Sequence, residues 1–538
     1  MVDRVKFKIR KEADGIKDRQ EGQEPQRSPA EAAGPPPSQP PLLKRRHFKR
    51  GIVVGHPEAV QAAEQERRQR YLELALLVLL AWAPLPKGSV LEWSVLVVEL
   101  VVVGVFLAWV IRGDRPLANP LLASASKWPR LLFILFLIFV VVQVIPWPAF
   151  LVKLVSPRAV ELRRVFSLEG GGGFFQSFSL NPYRSVSEGL LWASYVLFGY
   201  LIYRLFNNLR KVERLMAVVV GMGVFQAFYG LLELTSKEPR LLFYKKIYGL
   251  DCVTGTFVNR NHLAGYLEMA LPLALGLLVA RVHFFGLAGL NWREKVRRFS
   301  EKGLVVNVLL LAAVVLMGVA IIFSKSRSGV FLLVMTFLVF FELTVLYYPR
   351  LHWRRRWVKR LLQVSFLDIT LVALYIGIGE TIQRFALDNL LREGRPIVWA
   401  NSFSIISDFP VMGSGFGTFV DLYPLYESRW VGKSRYSHAH NDYLEFLGDL
   451  GVVGTLLLVG GVVWLLWLAF SVWKERRHPR VKGLALGGIV AVFNILIHSV
   501  GDFNLRIPAN ALTFTAVLVA TTVVAFYREE RRRVNKEK

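Results

Sequence analysis

From residue 69 to residue 527 the chain alternates long apolar runs with short polar or basic segments. The runs lie at 69–85, 89–111, 130–147, 187–206, 213–233, 261–284, 303–323, 328–349, 361–379, 449–472, 484–500 and 508–527. Most are close to the ~20 residues that a helix needs to cross the hydrocarbon of a bilayer. The pattern predicts an all-α, polytopic membrane protein with about twelve transmembrane helices. The first run is the weakest, being short and interrupted by Pro84 and Pro86. No repeat is evident across the runs, which argues against a transporter built from inverted halves.

The segments between the runs predict an orientation. "NWREKVRRFSEK", "YYPRLHWRRRWVKR", "WKERRHPRVK" and the tail "YREERRRVNKEK" are strongly basic and fall on one side if the spans number twelve. The excess of Lys and Arg in cytoplasmic loops then puts both termini in the cytoplasm. The opposite, outer side receives 148–186, 234–260, the tight turn "SKSRSG", 380–448 and "HSVGDFNLRIP".

Composition agrees. The chain has 538 residues, of which 53% are hydrophobic, and a mean hydropathy of +0.39, higher than soluble domains reach. The net charge of +27 is explained by basic loops at an anionic lipid surface rather than by nucleic-acid binding. Cys252 is the single cysteine, so no internal disulfide or cysteine metal cluster is expected. Residues 1–68 are polar, charged and rich in proline, with no cleavable signal pattern. They are expected to form a disordered, basic cytoplasmic arm ahead of the membrane domain at 69–527, and 528–538 a basic cytoplasmic tail.

The outer segment 380–448 is about 70 residues long, and loops of that length usually carry function. "IVWANSFSIISDF" has helical apolar spacing, "MGSGFGTF" is a glycine-rich turn, and "DLYPLYESRW" is aromatic. Short helices on the outer face are expected. "GSGFGTF" lacks the Lys-Ser/Thr of a phosphate loop and is read as a turn.

Directly after that segment stands "SHAHNDYLEFLGDLGVVG", Ser437 to Gly454. A helix that only spans would place Trp, Tyr or Lys at this edge. His440 is expected to begin a helix, and a neutral imidazole is favoured there, which makes it a usable general base. An interfacial histidine bonded to backbone is the alternative. His438 and Asp442 are four apart and could pair on one helical face. With Asn441 they are candidates for support. "HAHND" is a poor metal site, because residues two apart point in different directions on a helix. Arginines are the second signal. Arg327 in "SKSRSG", with Lys325 beside it, Arg260 in "GTFVNRNHLAGY", Arg395 in "REGRPIVW" and Arg506 in "GDFNLRIP" all fall on the outer side, against the positive-inside bias. A guanidinium suits bidentate binding of phosphate or carboxylate. The alternative is snorkelling or a local ion pair.

"GTFVNRNHLAGYLEM", "SKSRSGVF", "GRPIVW…PVMGSGFGTF", "HAHNDYLEFLGDLGVVG" and "HSVGDFNLRIPANAL", over roughly residues 250–515, resemble the O-antigen ligase and O-antigen polymerase superfamily. These are bacterial inner-membrane glycosyltransferases that use polyprenyl-diphosphate-linked glycans. The resemblance implies His440 as the catalytic histidine and Arg327 and Arg395 as diphosphate-binding arginines, with Arg260 and Arg506 matching less firmly. It implies an outward-facing site, membrane lipids, a glycolipid or glycan acceptor, and no metal or other cofactor. His438 is not part of the core pattern, and its role stays open. A ligase, a polymerase joining lipid-linked repeat units and a transferase to protein hydroxyls share these motifs. A transporter of polysaccharide or a small anion is the competing class, which buried charges midway along the spans would support.

Overall fold

Ten described helices are long and apolar enough to cross a bilayer. A helix bonds its backbone within the segment, as hydrocarbon requires. The computed structural model describes residues 57–113, 120–166, 173–281, 302–347, 394–427 and 436–527, with isolated residues between 291 and 371. The spanning helices are α2 (Glu92–Ile111), α3 (Lys127–Val144), α4 (Pro182–Leu205), α5 (Leu209–Leu234), α6 (Arg260–Ala280), α7 (Lys302–Phe323), α8 (Arg327–Tyr347), α10 (Asp442–Trp473), α11 (Pro479–His498) and α12 (Pro508–Phe526). The arm up to residue 56, the loop around Arg354–Arg356, the segment 380–393, the tail 528–538 and most of the expected span 361–379 lie outside the described residues. The chain divides into two units, Met1–Arg70 and Tyr71–Lys538, and all ten spanning helices belong to the second.

The first expected span, 69–85, differs from the expectation. The helix α1 runs from Pro57 to Trp82, and its charged first half keeps it out of the apolar set. Pro84 and Pro86 follow its end, before a 3-10 turn at Lys87–Ser89.

The innermost helix is α6, whose apolar window is wholly buried, with α11 and α12 close behind. By contrast, α2 and α3 bury little and face outward. Small residues bring α6 and α11 together. A Cβ on Gly276 would stand 2.8 Å from both the Gly483 carbonyl oxygen and the Gly487 Cα, so the two backbones touch, as membrane helices do where lipid gives no hydrophobic drive.

The end of the bundle at which α10 begins carries the short helices expected in 380–448. The helix α9 (Arg395–Asp408), the turn of helix Phe419–Leu422 and the 3-10 turn Tyr423–Leu425 share an apolar cluster with the helix Pro157–Phe166. Val398, Ile405, Phe409, Phe419 and Leu422 are at its centre.

This layer is pinned to a break in α10. Gly451 takes φ 62°, ψ −172° inside that helix, a conformation open essentially only to glycine. The break frees carbonyls and amides on both sides, and the chain at 410–419 bonds to them. Ser414 and Gly415 donate to the carbonyls of Gly448 and Asp449, at 2.9 and 3.0 Å, and Val452 donates to that of Pro410 at 2.8 Å. Gln143 of α3 donates to the Asp449 carbonyl at 3.0 Å. The glycine turn "GSGFGTF" does form a cradle of amides, and a carboxylate fills it. Asp449 accepts from Gly417 and Phe419, each at 2.9 Å.

Gly451→Ala should therefore destabilise the protein by at least about 1–2 kcal/mol from the left-handed backbone alone, because its Cβ would also collide with the Val411 carbonyl. Thermal unfolding in detergent measures this. Gly460→Ala, in the same helix with only a Leu132 methyl at 3.9 Å, should leave the transition where it is or raise it slightly.

Candidate active site

Asn441 decides where α10 begins. Its side chain accepts from the amides of Tyr443 and Leu444, at 3.0 and 3.1 Å, an N-cap that satisfies two otherwise orphan donors. The helix therefore starts at Asp442 and does not reach back to His438. The expected pairing of His438 with Asp442 along one helical face is replaced by two other contacts. His438 Nδ1 lies 3.0 Å from Glu445 Oε1. Asp442 turns inward, fully buried, and accepts from the Leu505 amide at 3.0 Å.

His440 is just outside the helix with φ 50°. A left-handed histidine costs on the order of 1–3 kcal/mol, and such strain gathers at functional sites. The loop between α11 and α12 holds its ring. Nδ1 lies 3.2 Å from Asp502 Oδ1, and Phe503 and Tyr436 pack edge-on against the imidazole. The side chain keeps 22% of its surface exposed. Among the described residues nothing bonds to Nε2.

Asp502 is the hub. It is fully buried and collects donors from four directions. The Phe503 amide binds Oδ1 at 2.9 Å, Asn261 binds Oδ2, Arg395 Nη2 stands 3.4 Å from Oδ2, and His440 completes the set. Burial by itself would raise this carboxyl. The hydrogen bond to His440 and the charge of Arg395 outweigh that and hold it well below the usual carboxylate range. An ionised Asp502 assigns the Nδ1 proton of His440 to the shared bond. Nε2 then carries the lone pair and faces the opening. This is the arrangement of a base oriented by a buried acid.

The arginines separate into groups. Arg395, the first residue of α9, also donates to the Gly501 carbonyl at 2.7 Å, and its side chain is 25% exposed at the edge of the site. Arg327 begins α8 and is half-buried. The next residue, Ser328, approaches Gly501, so this turn abuts the same loop. Lys325 pairs with Asp251 at 3.0 Å. Arg260 begins α6 beside the Cys252 thiol. Arg506 faces inward: only 4% exposed, it lies within 2.9 Å of Glu188, 3.1 Å of Glu445 and 2.6 Å of Asp449, between the rings of Phe416 and Phe446. Its fork ties α4 to α10.

An apolar cavity of about 930 Å³ lies among the spanning helices, lined at one end by Tyr443 and Leu505, which are near in sequence to His440 and Asp502, and at the other by Arg130 and Tyr203 of α3 and α4. Leucine, valine, phenylalanine and tryptophan side chains make up most of the wall between.

Asp502, Asn261, His262 and Glu445 are site residues that sequence reasoning misses. The first three stand inside motifs conspicuous for their arginines, "GDFNLRIP" and "NRNH". His262 Nε2 comes within 4.0 Å of Asp502. An acid in an outer turn next to a candidate arginine is the available signal.

Residues 312–459 match the sequence profile of a family described as O-antigen ligase. The matched stretch contains Arg327, Arg395 and His440, whereas Arg260, Asp502 and Arg506 lie beyond it. No curated protein matches the chain.

Proposed function

From the chain's place in the O-antigen ligase and polymerase superfamily, we propose that it transfers a glycan from a polyprenyl-diphosphate carrier to an acceptor hydroxyl at the outer face of a bacterial inner membrane. The observation that carries this reading is the His440–Asp502 pair just ahead of a membrane helix, and an apolar cavity among the spanning helices has room for a lipid chain. The acceptor hydroxyl attacks the anomeric carbon as His440 Nε2 takes its proton. The bond from that carbon to the diphosphate oxygen breaks, and the carrier leaves as its diphosphate. Asp502 holds the imidazole in the accepting tautomer and stabilises the imidazolium that forms. Negative charge grows on the leaving oxygen, and Arg395 and Arg327 are the cations set to meet it.

The test is purified protein incubated with lipid-linked glycan and candidate acceptors, with products sized on a gel. One shifted band on the acceptor supports a ligase. A ladder of lengths moves the protein to polymerisation with the same chemistry. No release of carrier diphosphate under any pairing would sink the proposal.

The orientation has its own test. After Cys252 is replaced, a cysteine at Ser437 should react with a membrane-impermeant reagent in cells with a permeabilised outer envelope, and one at Lys474 should not. The reverse pattern would turn the site toward the cytoplasm and remove the mechanism.

A further inference from the structure

The site holds a second imidazole built as carefully as the first. His438 Nδ1 is anchored on Glu445 Oε1 at 3.0 Å, and the other oxygen of that carboxylate accepts the Ala439 amide at 3.0 Å. The ring stacks on Phe503 with centroids 4.1 Å apart and planes 17° from parallel. Phe503 is the same side chain that meets His440 edge-on, so one phenylalanine holds two histidines at one opening. The His438 side chain is 31% exposed. Its Nε2 has no bonding partner among the described residues. A ring fixed at one nitrogen, clamped on one face and open at the other nitrogen is built to meet a ligand.

We propose that His438 is a diphosphate ligand, donating its Nε2–H to a phosphoryl oxygen of the lipid-linked donor while His440 handles the acceptor. This rests on the donor reading above. The site's charges favour the assignment. Arg395 is matched by buried Asp502, and Arg506 is consumed by three carboxylates. A diphosphate therefore gains from a donor beside Arg327 and Arg395, and the Nε2–H of His438 supplies one while Glu445 holds the ring. The groups around His438 are Asp442 and Glu445 on α10, Asp502 and Arg506 in the last outer loop, His262 on α6 and His440 in its own segment. Burial opposes charging this ring, but Glu445 outweighs it and raises the imidazole above its ordinary value. A raised histidine is charged below that value, and its attraction for an anion is lost as pH climbs through it.

The experiment uses the full chain in lipid nanodiscs, with farnesyl diphosphate and farnesol as probes and calorimetric titration from pH 6 to pH 9. The unaltered protein should bind farnesyl diphosphate less tightly as pH rises. His438→Gln should weaken it about 10- to 100-fold at the acid end, the worth of a hydrogen bond to a charged group, and should flatten the pH curve. Farnesol binding should be unchanged, and His438→Lys should recover part of the lost affinity. If His438→Gln binds farnesyl diphosphate with the same affinity and pH curve as the unaltered protein, the assignment is overturned and the donor reading stands. If the unaltered protein ignores farnesyl diphosphate, the donor reading fails and takes the assignment with it. Comparable gel-filtration profiles separate either outcome from misfolding.

Discussion

Replacing His440 by alanine is expected to abolish glycan transfer while the protein still binds its lipid-linked donor. In the proposed mechanism the base acts on the acceptor hydroxyl, so its removal should leave the diphosphate contacts in place. General-base catalysis by a positioned side chain typically contributes 10²- to 10⁴-fold. Turnover should fall by that order, with donor affinity within a few-fold of the unaltered protein. Arg395→Ala should behave differently, weakening donor binding as well as turnover, and Arg395→Lys should recover little because a lysine lacks the two-pronged fork. The folded state should tolerate the His440 change. The side chain is partly exposed, and when its contacts to Phe503 and Tyr436 are lost, Asp502 keeps its bonds to the Phe503 amide, Asn261 and Arg395. A well-folded His440→Ala protein with near-normal turnover would return "HAHND" to a polar cap on a membrane helix.

The second large effect concerns a residue that need not touch substrate at all. Asp502→Asn should lower turnover by about 10²- to 10⁴-fold, the upper figure being what the same replacement does to the acid of a serine-protease triad. An asparagine amide facing Nδ1 can donate to it, which moves the imidazole proton to Nε2 and takes the lone pair from the acceptor. The pH dependence gives the discriminating measurement. Because Asp502 is held below the usual carboxylate range, it stays ionised through the whole neutral range. Its stabilising contribution is present above the ordinary carboxylate value and lost only as pH falls through its depressed one. A rise of activity with pH in the neutral range then does not come from Asp502. In Asp502→Asn that rise should be displaced as well as reduced in height. A purely structural Asp502 would instead show lost stability with an unmoved profile in whatever protein remained folded. Asp502→Ala is the harsher change. It leaves Arg395 and Asn261 facing an empty, buried position, and breaking a buried pair this way costs about 3–5 kcal/mol.

Much of the fold was legible because hydrocarbon imposes a simple rule on sequence. Nine expected spans coincide with apolar helices to within several residues at most ends, and α10 extends a tenth outward to Asp442. The helix over Arg395–Asp408 followed from the spacing in "IVWANSFSIISDF". His440 stood out as a histidine where a membrane edge wants Trp, Tyr or Lys. What escaped was tertiary. His440 meets Asp502 across 62 residues of sequence, and nothing local announces that meeting. The start of α10 was set by Asn441 as a cap, a local signal that outweighed the four-residue spacing of His438 and Asp442. Arg506 shows the limit of reasoning by sidedness. It is an outer-face arginine like Arg395, yet Glu188, Glu445 and Asp449 gather around it from two other helices and draw it inside. Charge counting along a chain cannot distinguish a guanidinium at the partly exposed edge of a site from one enclosed by carboxylates.

The interruption of α10 at Gly451 bears on which membranes the protein can work in. Bilayers differ in thickness by a few ångströms with acyl-chain length, and an apolar rod answers by changing its tilt. A continuous α10 would swing its outer end with every such change and drag the imidazole away from the acid that orients it. In this protein the rod ends at Gly451, and the nine residues above it, Asp442 to Leu450, are bonded to the chain at 410–419 and to Gln143. The expectation is that a change of tilt below the break leaves His440 and Asp502 in their mutual positions, with the bonds of Val452 and Val453 to Pro410 and Val411 acting as the joint. Turnover measured in nanodiscs of graded acyl-chain length should accordingly vary far less than the tilt of the apolar helices does.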